Sequence, residues 1–202
     1  GMSQWPDELD TLLRLGKENL HGLLDVVARH SIDCSPEPTG ALDVAVAPWQ
    51  TESLAKSAVV HEAHGRHVTL LDAAATRAEV DSPTYLGGLW HHDGVVMLDP
   101  ARLAWGLLRV AKALGVRFFE NTPARSIEAV QGAESTTVRI RTDGGAVDAR
   151  NAVVATNAFR PQVRRIRRFV VPVYDHVLVT EPLTGNRLAA IGWSNRQGLS
   201  DA

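Results

Sequence analysis

The spacing of apolar residues changes near residue 122, and this change constrains the fold more than any other feature of the chain. Before it, apolar residues recur at three- and four-residue steps, with short strand-like runs between the helical stretches. After it, three alternating runs at 126–130, 136–141 and 146–150 are joined by glycine-containing turns, which predicts an antiparallel meander. We therefore expect an α+β fold dominated by antiparallel sheet.

Three long helices are predicted, near residues 7–30, 51–64 and 99–114. The third has the clearest ends, because Asp99 can cap its first turn, Pro100 suits the first helical position and Gly115 follows the last turn. Thr51 is the predicted cap of the second helix, and Asp72 is that of a shorter helix that follows it.

Further strands are predicted outside the meander, at 41–47, 116–120, 152–156 and 169–180. Residues 85–98 are predicted to form a hairpin around a turn at 91–94. Because the run 116–120 directly follows the capped helix, the pattern indicates a strand, helix, strand unit with a parallel crossover. Residues 152–156 are typical of a strand that is buried on both faces.

Charge and composition argue against several classes of partner. The chain has 21 Lys and Arg against 23 Asp and Glu, a net charge of −2, so it lacks the basic field that attracts nucleic acid. No apolar run reaches the roughly 18 residues of a membrane span. With the single cysteine Cys34 and no signal pattern at the amino terminus, we expect a cytoplasmic protein.

Four segments in the second half of the chain together resemble one known family. They are MLDPARL at 97–103, LGVRFFENTP at 114–123, VVATNAF at 153–159 and VPVYDHVLVTEPL at 171–183. In this order they resemble the D-amino-acid-oxidase-type FAD-dependent oxidoreductases, and most of all the glycine oxidase-like and gamma-glutamylputrescine oxidase-like branch. The resemblance implies a two-domain flavoprotein that oxidises the C–N bond of a small-molecule amine or amino acid by hydride transfer to the flavin.

The same resemblance implies a division of the chain into three parts. Residues 1–98 would link the FAD and substrate domains, 99–160 would form part of the FAD-binding domain, and 161–202 would begin the sheet of the substrate domain. The family's G-x-G-x-x-G turn, whose amides meet the pyrophosphate, occurs nowhere in this sequence. We therefore expect an internal fragment that by itself binds no FAD and is inactive. Exposed sheet edges further predict a homodimer.

Candidate site residues also follow from the resemblance. Four are expected to lie along the FAD, mostly through their backbone: Ala124, Ala155, Thr156 and Asn157. Three are candidates for contact with the substrate: Trp90, Tyr174 and His176. An aromatic residue on a strand is also typical of a protein core, so a structural role in the core remains an alternative for these candidates.

Two other functions remain as alternatives. The missing glycine turn is compatible with a binding module that kept the fold and lost redox chemistry. The second alternative is a metal-dependent hydrolase, suggested by the histidines at 61, 64 and 67 and at 91–92. However, His61 and His64 are three residues apart and Gly65 ends the helix, whereas a zinc-binding H-E-x-x-H helix has its histidines four residues apart. We assign no metal ligand. The arginine-rich run 160–168 is either a solvated connector or a site for an anion.

Overall fold

A computed structural model describes residues 6–131, 136–157, 159, 169–171, 173 and 176–202 of the 202-residue chain. Contacts divide the chain into two compact units. The first unit combines residues 1–116 with 181–202, and the second contains residues 117–180. The helices and strands of these units confirm the predicted α+β fold.

The elements follow in this order: a 3-10 turn at Pro6–Glu8, α1 Leu9–Arg29, β1 Ala41–Ala45, α2 Pro48–Ala63, β2 Val68–Asp72, α3 Ala73–Glu79, β3 Gly87–His91, α4 Pro100–Ala113, β4 Ser126–Gln131, β5 Thr136–Thr142, β6 Gly145–Ala149, α5 Gly185–Ile191 and β7 Gly198–Asp201.

A four-stranded sheet organises the first unit, with strands in the order β2-β3-β1-β7. Strand β3 is antiparallel to β1 and β2, and β7 is parallel to β1. Helix α2 covers one face, where Leu54 and Ala58 pack with the buried side chains of Ala45, Val68 and Leu89. Burial of these apolar side chains is the main force that holds the helix on the sheet.

The opposite face of this sheet approaches α3 closely. A Cβ on Gly88 would lie 2.9 Å from the Leu42 side chain and 3.1 Å from the Thr76 hydroxyl oxygen. A second apolar cluster joins the end of α1 to α4, with Val27, Ile32 and Cys34 buried. The first core holds α2 on the sheet, and the second packs the end of α1 against α4.

The predicted helix starts are confirmed where a carboxylate caps the first turn. The Asp99 side chain accepts from the backbone N–H groups of Ala101 and Arg102 at 2.9 and 3.0 Å, and Asp72 accepts from that of Ala75 at 2.7 Å. Both contacts are local in sequence, so residue type and spacing are sufficient to predict them.

The prediction that Thr51 caps the second helix is wrong. Helix α2 begins three residues earlier, at Pro48, and the Thr51 hydroxyl donates to the Pro48 carbonyl inside the helix. The cap is supplied by Gln50, whose Oε1 accepts from the N–H groups of Val46 and Ala47 at 2.8 Å each. A proline at the first helical position and a glutamine at the third are together sufficient to start the helix.

The meander of the second unit is confirmed. Strand β5 lies between β4 and β6 and is antiparallel to both, with Ile140 opposite Ile127 on one side and Val147 on the other. Exposed ion pairs cross the sheet surface, such as Arg139 with Asp148 at 2.6 Å.

Several predicted strands are corrected. Residues 85–98 form no hairpin, because β3 pairs with β1 and β2 while Met97 makes only an isolated bridge with Glu37. Residues 116–120 and 152–156 are not strands, so the strand, helix, strand unit is wrong. The described residues of 169–180 are not a strand either. An apolar run becomes a strand only beside a partner strand, and no described strand pairs with these runs.

Candidate functional site

The four residues expected along the FAD all lie in the second unit. Ala124 is half-buried just before β4. Ala155, Thr156 and Asn157 are exposed, and Asn157 has a left-handed φ of 49°. The Phe159 N–H donates to the Thr156 carbonyl at 3.0 Å, which turns the backbone at this point. Their contact with FAD stays a prediction.

The described substrate candidates are divided between the two units. Trp90 lies on β3 of the first unit, where its indole N–H donates to the Thr39 carbonyl at 3.1 Å and its ring packs against His92 at 4.5 Å. His176 is exposed and belongs to the second unit. Tyr174 and the arginine-rich run 160–168 lie outside the described residues. The bonded and stacked indole of Trp90 fits a structural role as well as a binding one.

A polar cluster that the sequence did not predict joins three strands of the first unit. Asp43 of β1 accepts from the His91 Nε2–H group of β3 at 3.1 Å through Oδ2. Its other oxygen, Oδ1, accepts from the Ser200 hydroxyl of β7. The ring of His61, on α2, meets the ring of His91 edge-on at 4.8 Å. The Asp43 carboxylate therefore links β1 to both of its neighbouring strands, β3 and β7.

The charges in this cluster are set by its contacts. The hydrogen bond from His91 lowers the pKa of Asp43 below its ordinary value, burial opposes that shift, and the Ser200 bond adds to it. Burial lowers the pKa of His61, and the charge of a protonated His91 acts in the same direction. The cluster thus favours an ionised Asp43 beside a neutral His61.

This arrangement does not form a nucleophilic relay. In such a relay the serine hydroxyl bonds to the histidine, whereas Ser200 donates to the carboxylate of Asp43 and His91 meets the other oxygen of that carboxylate. The cluster instead aligns the strands. No local sequence pattern marks it, because the pairing of β1 with β3 and β7 is not local.

The histidines also give the hydrolase alternative no support. His64 contacts Asp10 at 3.3 Å, and the His67 ring stacks on His92 at 4.4 Å. Within the described ranges, no three His, Cys, Asp or Glu side chains converge in a way that would hold a metal ion. None of the described helices is long and apolar enough to cross a membrane.

The helix N-termini of the described residues do not fit the pyrophosphate of FAD. Helices α3, α4 and α5 have an acceptor side chain over their first amides, supplied by Asp72, Asp99 and Thr184, whereas at α2 the Gln50 side chain accepts from Val46 and Ala47 just before the helix. Helix α1 begins among acidic residues at 7, 8 and 10. Phosphate charges at these positions would meet carboxylates or amides that are already bonded, instead of a free amide nest.

Comparison with protein families and curated proteins identifies relatives over nearly the whole chain. The family model described as DAO, FAD dependent oxidoreductase, matches residues 2–201. The chain is 32% identical over 155 residues to gamma-glutamylputrescine oxidoreductase of Escherichia coli K12, a match that covers 75% of this chain and 35% of that protein. The chain spans between 28% and 45% of the length of the curated relatives that it matches.

Solved structures give the same fold. Glycine oxidase from Bacillus cereus ATCC 14579 superposes with a TM-score of 0.61 at 17% identity, over 74% of this chain and 41% of that one. Glycine oxidase from Geobacillus kaustophilus gives 0.57 at 19% identity, over 78% and 40%. L-amino acid deaminase from Proteus vulgaris gives 0.58 at 19% identity, over 74% and 35%. At these identities the likeness concerns the fold alone.

Proposed function

The chain belongs to the DAO family of FAD dependent oxidoreductases, and from this premise we propose that it is part of a flavoenzyme that oxidises the C–N bond of an amine or amino acid. The observation that carries the proposal is the family match over residues 2–201. The relatives named for an amine or amino-acid reaction support the substrate class. In such enzymes the flavin supplies the redox chemistry, and the protein binds and orients the substrate.

We assign the four-stranded sheet of the first unit to the substrate side of this enzyme. Residues 161–202 were expected to begin the substrate-domain sheet, and β7, which lies in that range, pairs with β1 from Ala41 to Val44. Strands β1, β2 and β3 therefore belong to the same sheet. The meander in the second unit and the residues around Ala124 and Asn157 are assigned to the FAD side.

The second part of the proposal concerns the cofactor. FAD is the cofactor of the family, but we propose that the 202-residue chain does not hold it alone, since its described helix N-termini do not fit a pyrophosphate. Each charge-assisted hydrogen bond that is missing costs about 1.5 to 3 kcal/mol. The loss of several such bonds weakens binding by orders of magnitude.

The experiment is a substrate panel on the protein encoded by the complete reading frame that contains this chain. We expect amines or amino acids to bleach its flavin absorbance under anaerobic conditions, and the 202-residue chain to give no such signal. A flavin-loaded protein that none of these substrates reduces would refute the proposed reaction. The alternative of a non-catalytic module is favoured by the same poor fit of the described helix N-termini to a pyrophosphate. A reading frame without any G-x-G-x-x-G segment would support that module instead.

A further inference from the structure

Strand β2 forms one edge of the four-stranded sheet. Among the described strands it pairs with β3 alone, without a break from Val68 to Asp72. Natural proteins protect such an edge from further pairing with proline, lysine or a bulge. The sequence of β2, VTLLD, contains neither proline nor lysine, and Leu70 at its centre is 50% exposed. We call the outer side of residues 68–72 the β2 edge.

The hydrogen bonds between β2 and β3 show which backbone groups face this edge. In the register of the two strands His67 lies opposite His92, and the His92 N–H donates to the His67 carbonyl at 3.0 Å. Residues of an antiparallel pair point their N–H and C=O groups alternately toward the partner strand and away from it. Thr69 therefore points these groups at β3, whereas Val68 and Leu70 point theirs outward.

Apolar side chains border the β2 edge on the side of the sheet that α2 covers. Leu70 lines a cavity of about 150 Å³ together with Thr51 and Leu86. A cavity of this size accepts one small apolar group. Ala55 and Val59 follow Thr51 at four-residue steps, so they lie on the same side of α2, and Val59 is 66% exposed.

We propose that the β2 edge is the interface of a homodimer, in which β2 pairs with β2 of a second copy about a two-fold axis at Leu70. The outward N–H and C=O groups of the two Leu70 residues then bond to each other, and Val68 of each copy lies opposite Asp72. The Asp72 carboxylate accepts from the Ala75 N–H at 2.7 Å, so its charge is already engaged at the start of α3. The pairing joins both four-stranded sheets into one.

Complementarity between the two copies of α2 is the reason for choosing a second copy as the partner. Thr51 lies beside the last residues of β2, whereas Ala58 packs with Val68 at its start. An antiparallel copy reverses this order, so Val59 of the second copy faces the cavity beside Thr51 and can fill it. The row of Thr51, Ala55 and Val59 carries no charge, so the copies meet there without like-charge repulsion.

The interface is small, and the dimer should therefore be reversible. A strand of 5 residues spans about 17 Å, whereas a standard stable interface buries about 800 Å² on each partner. One strand and one side of a helix lie at the lower end of that range, so we expect a dissociation constant of about 1 to 100 μM. This assembly goes beyond the proposed function, because it involves neither flavin nor substrate.

The test is sedimentation equilibrium of the 202-residue chain over a series of concentrations. We expect the average mass to rise from 21.9 kDa toward twice that value as the concentration increases. Leu70→Lys and Val59→Lys should each raise the dissociation constant at least about tenfold, because each puts a charge on an apolar contact and Leu70→Lys also places two like charges at the axis.

Two lysine substitutions outside the interface are the controls. Val147→Lys matches Leu70→Lys, because Val147 is also 50% exposed and lies on an edge strand, β6 of the second unit. Val60→Lys matches Val59→Lys, because Val60 is the next residue of α2 and lies half a turn around the helix from Thr51. Neither control should change the dissociation constant. If circular dichroism shows that Leu70→Lys is unfolded, Val59→Lys decides.

Leu70→Cys tests the register directly. Facing residues of a hydrogen-bonded antiparallel pair have Cα atoms about 5.5 Å apart, a distance that a disulfide spans. Mild oxidation should therefore give a covalent dimer of Leu70→Cys but not of Val147→Cys, and the native Cys34, 0% exposed, should not react.

Three results would each overturn the inference. They are a chain that stays monomeric at every concentration, as it would if a different partner covered the β2 edge, a dimer that the interface substitutions weaken no more than their controls do, and the absence of a covalent dimer in Leu70→Cys. The proposed oxidation is judged separately by flavin bleaching in the complete protein, so the two ideas fail independently.

Discussion

Gln50 connects the start of α2 to the end of β7, and its removal is the sharpest test of how the first unit is held together. Gln50 is buried, with only 4% of its surface exposed. Oε1 accepts from the backbone of Val46 and Ala47, while Nε2 donates to Asp201 Oδ1 at 2.8 Å and to the Ala202 carbonyl. Gln50→Ala therefore removes four hydrogen bonds at once.

The expected cost follows from these contacts. A net hydrogen bond contributes about 0.5 to 1.5 kcal/mol, and the amide of the partly exposed Val46 can bond to water instead. We expect Gln50→Ala to lower the free energy of unfolding by about 2 to 4 kcal/mol. Gln50→Glu keeps the acceptor but loses the donor and places a second carboxylate beside Asp201, so it should also destabilise, by about 1 to 3 kcal/mol.

Urea unfolding followed by tryptophan fluorescence is a suitable assay, because the tryptophans among the described residues, at 49, 90, 105 and 193, belong to the first unit. Thr51→Ala is the control, since its hydroxyl only bonds to Pro48 within the helix. It should change stability by no more than about 0.5 kcal/mol. A larger loss in Thr51→Ala than in Gln50→Ala would refute the assignment of Gln50 as the cap.

Three further predictions concern the whole chain. Burial lowers the pKa of His61, so the unfolded chain binds more protons than the folded chain near the ordinary value of 6.5. Stability should therefore fall as the pH is lowered through 6.5, and less so in His61→Phe, as measured by urea midpoints. Gly88→Ala should lower the free energy of unfolding by about 1 to 3 kcal/mol, because its new Cβ would press against Leu42 and Thr76. Gly16→Ala, with open space around it in α1, should raise the free energy of unfolding by about 0.5 to 1 kcal/mol. Equal effects of the two substitutions in thermal melts would contradict this packing. Exposed strand edges predict a homodimer, and light scattering that gives a single 21.9 kDa species would disprove it.

The features that the sequence predicted correctly depend on interactions between residues close together in the chain. The caps by Asp99 and Asp72 depend on residues two or three positions away, and the meander depends on short turns. These interactions are set by near neighbours in the chain. Helix α1 and the order of β4 to β6 were therefore predictable.

Long-range pairing explains the errors. Residues 152–156 are as apolar as a buried strand, yet Val153 is 89% exposed because no described strand lies beside it. Strand β3 pairs with β1, more than 40 positions away, instead of with the residues that follow it. The cluster of Asp43, His91 and Ser200 depends on the same distant register, so no local pattern marks it.

The most direct measurement of the central claim is an FAD titration of the 202-residue chain beside the protein encoded by the complete reading frame. We expect a yellow complete protein with the visible absorption bands of bound flavin, and a colourless chain with no measurable affinity for FAD. A complete protein that binds no flavin would contradict the proposed function. A chain that binds FAD at micromolar concentration would contradict the claim that its helix N-termini do not fit the pyrophosphate.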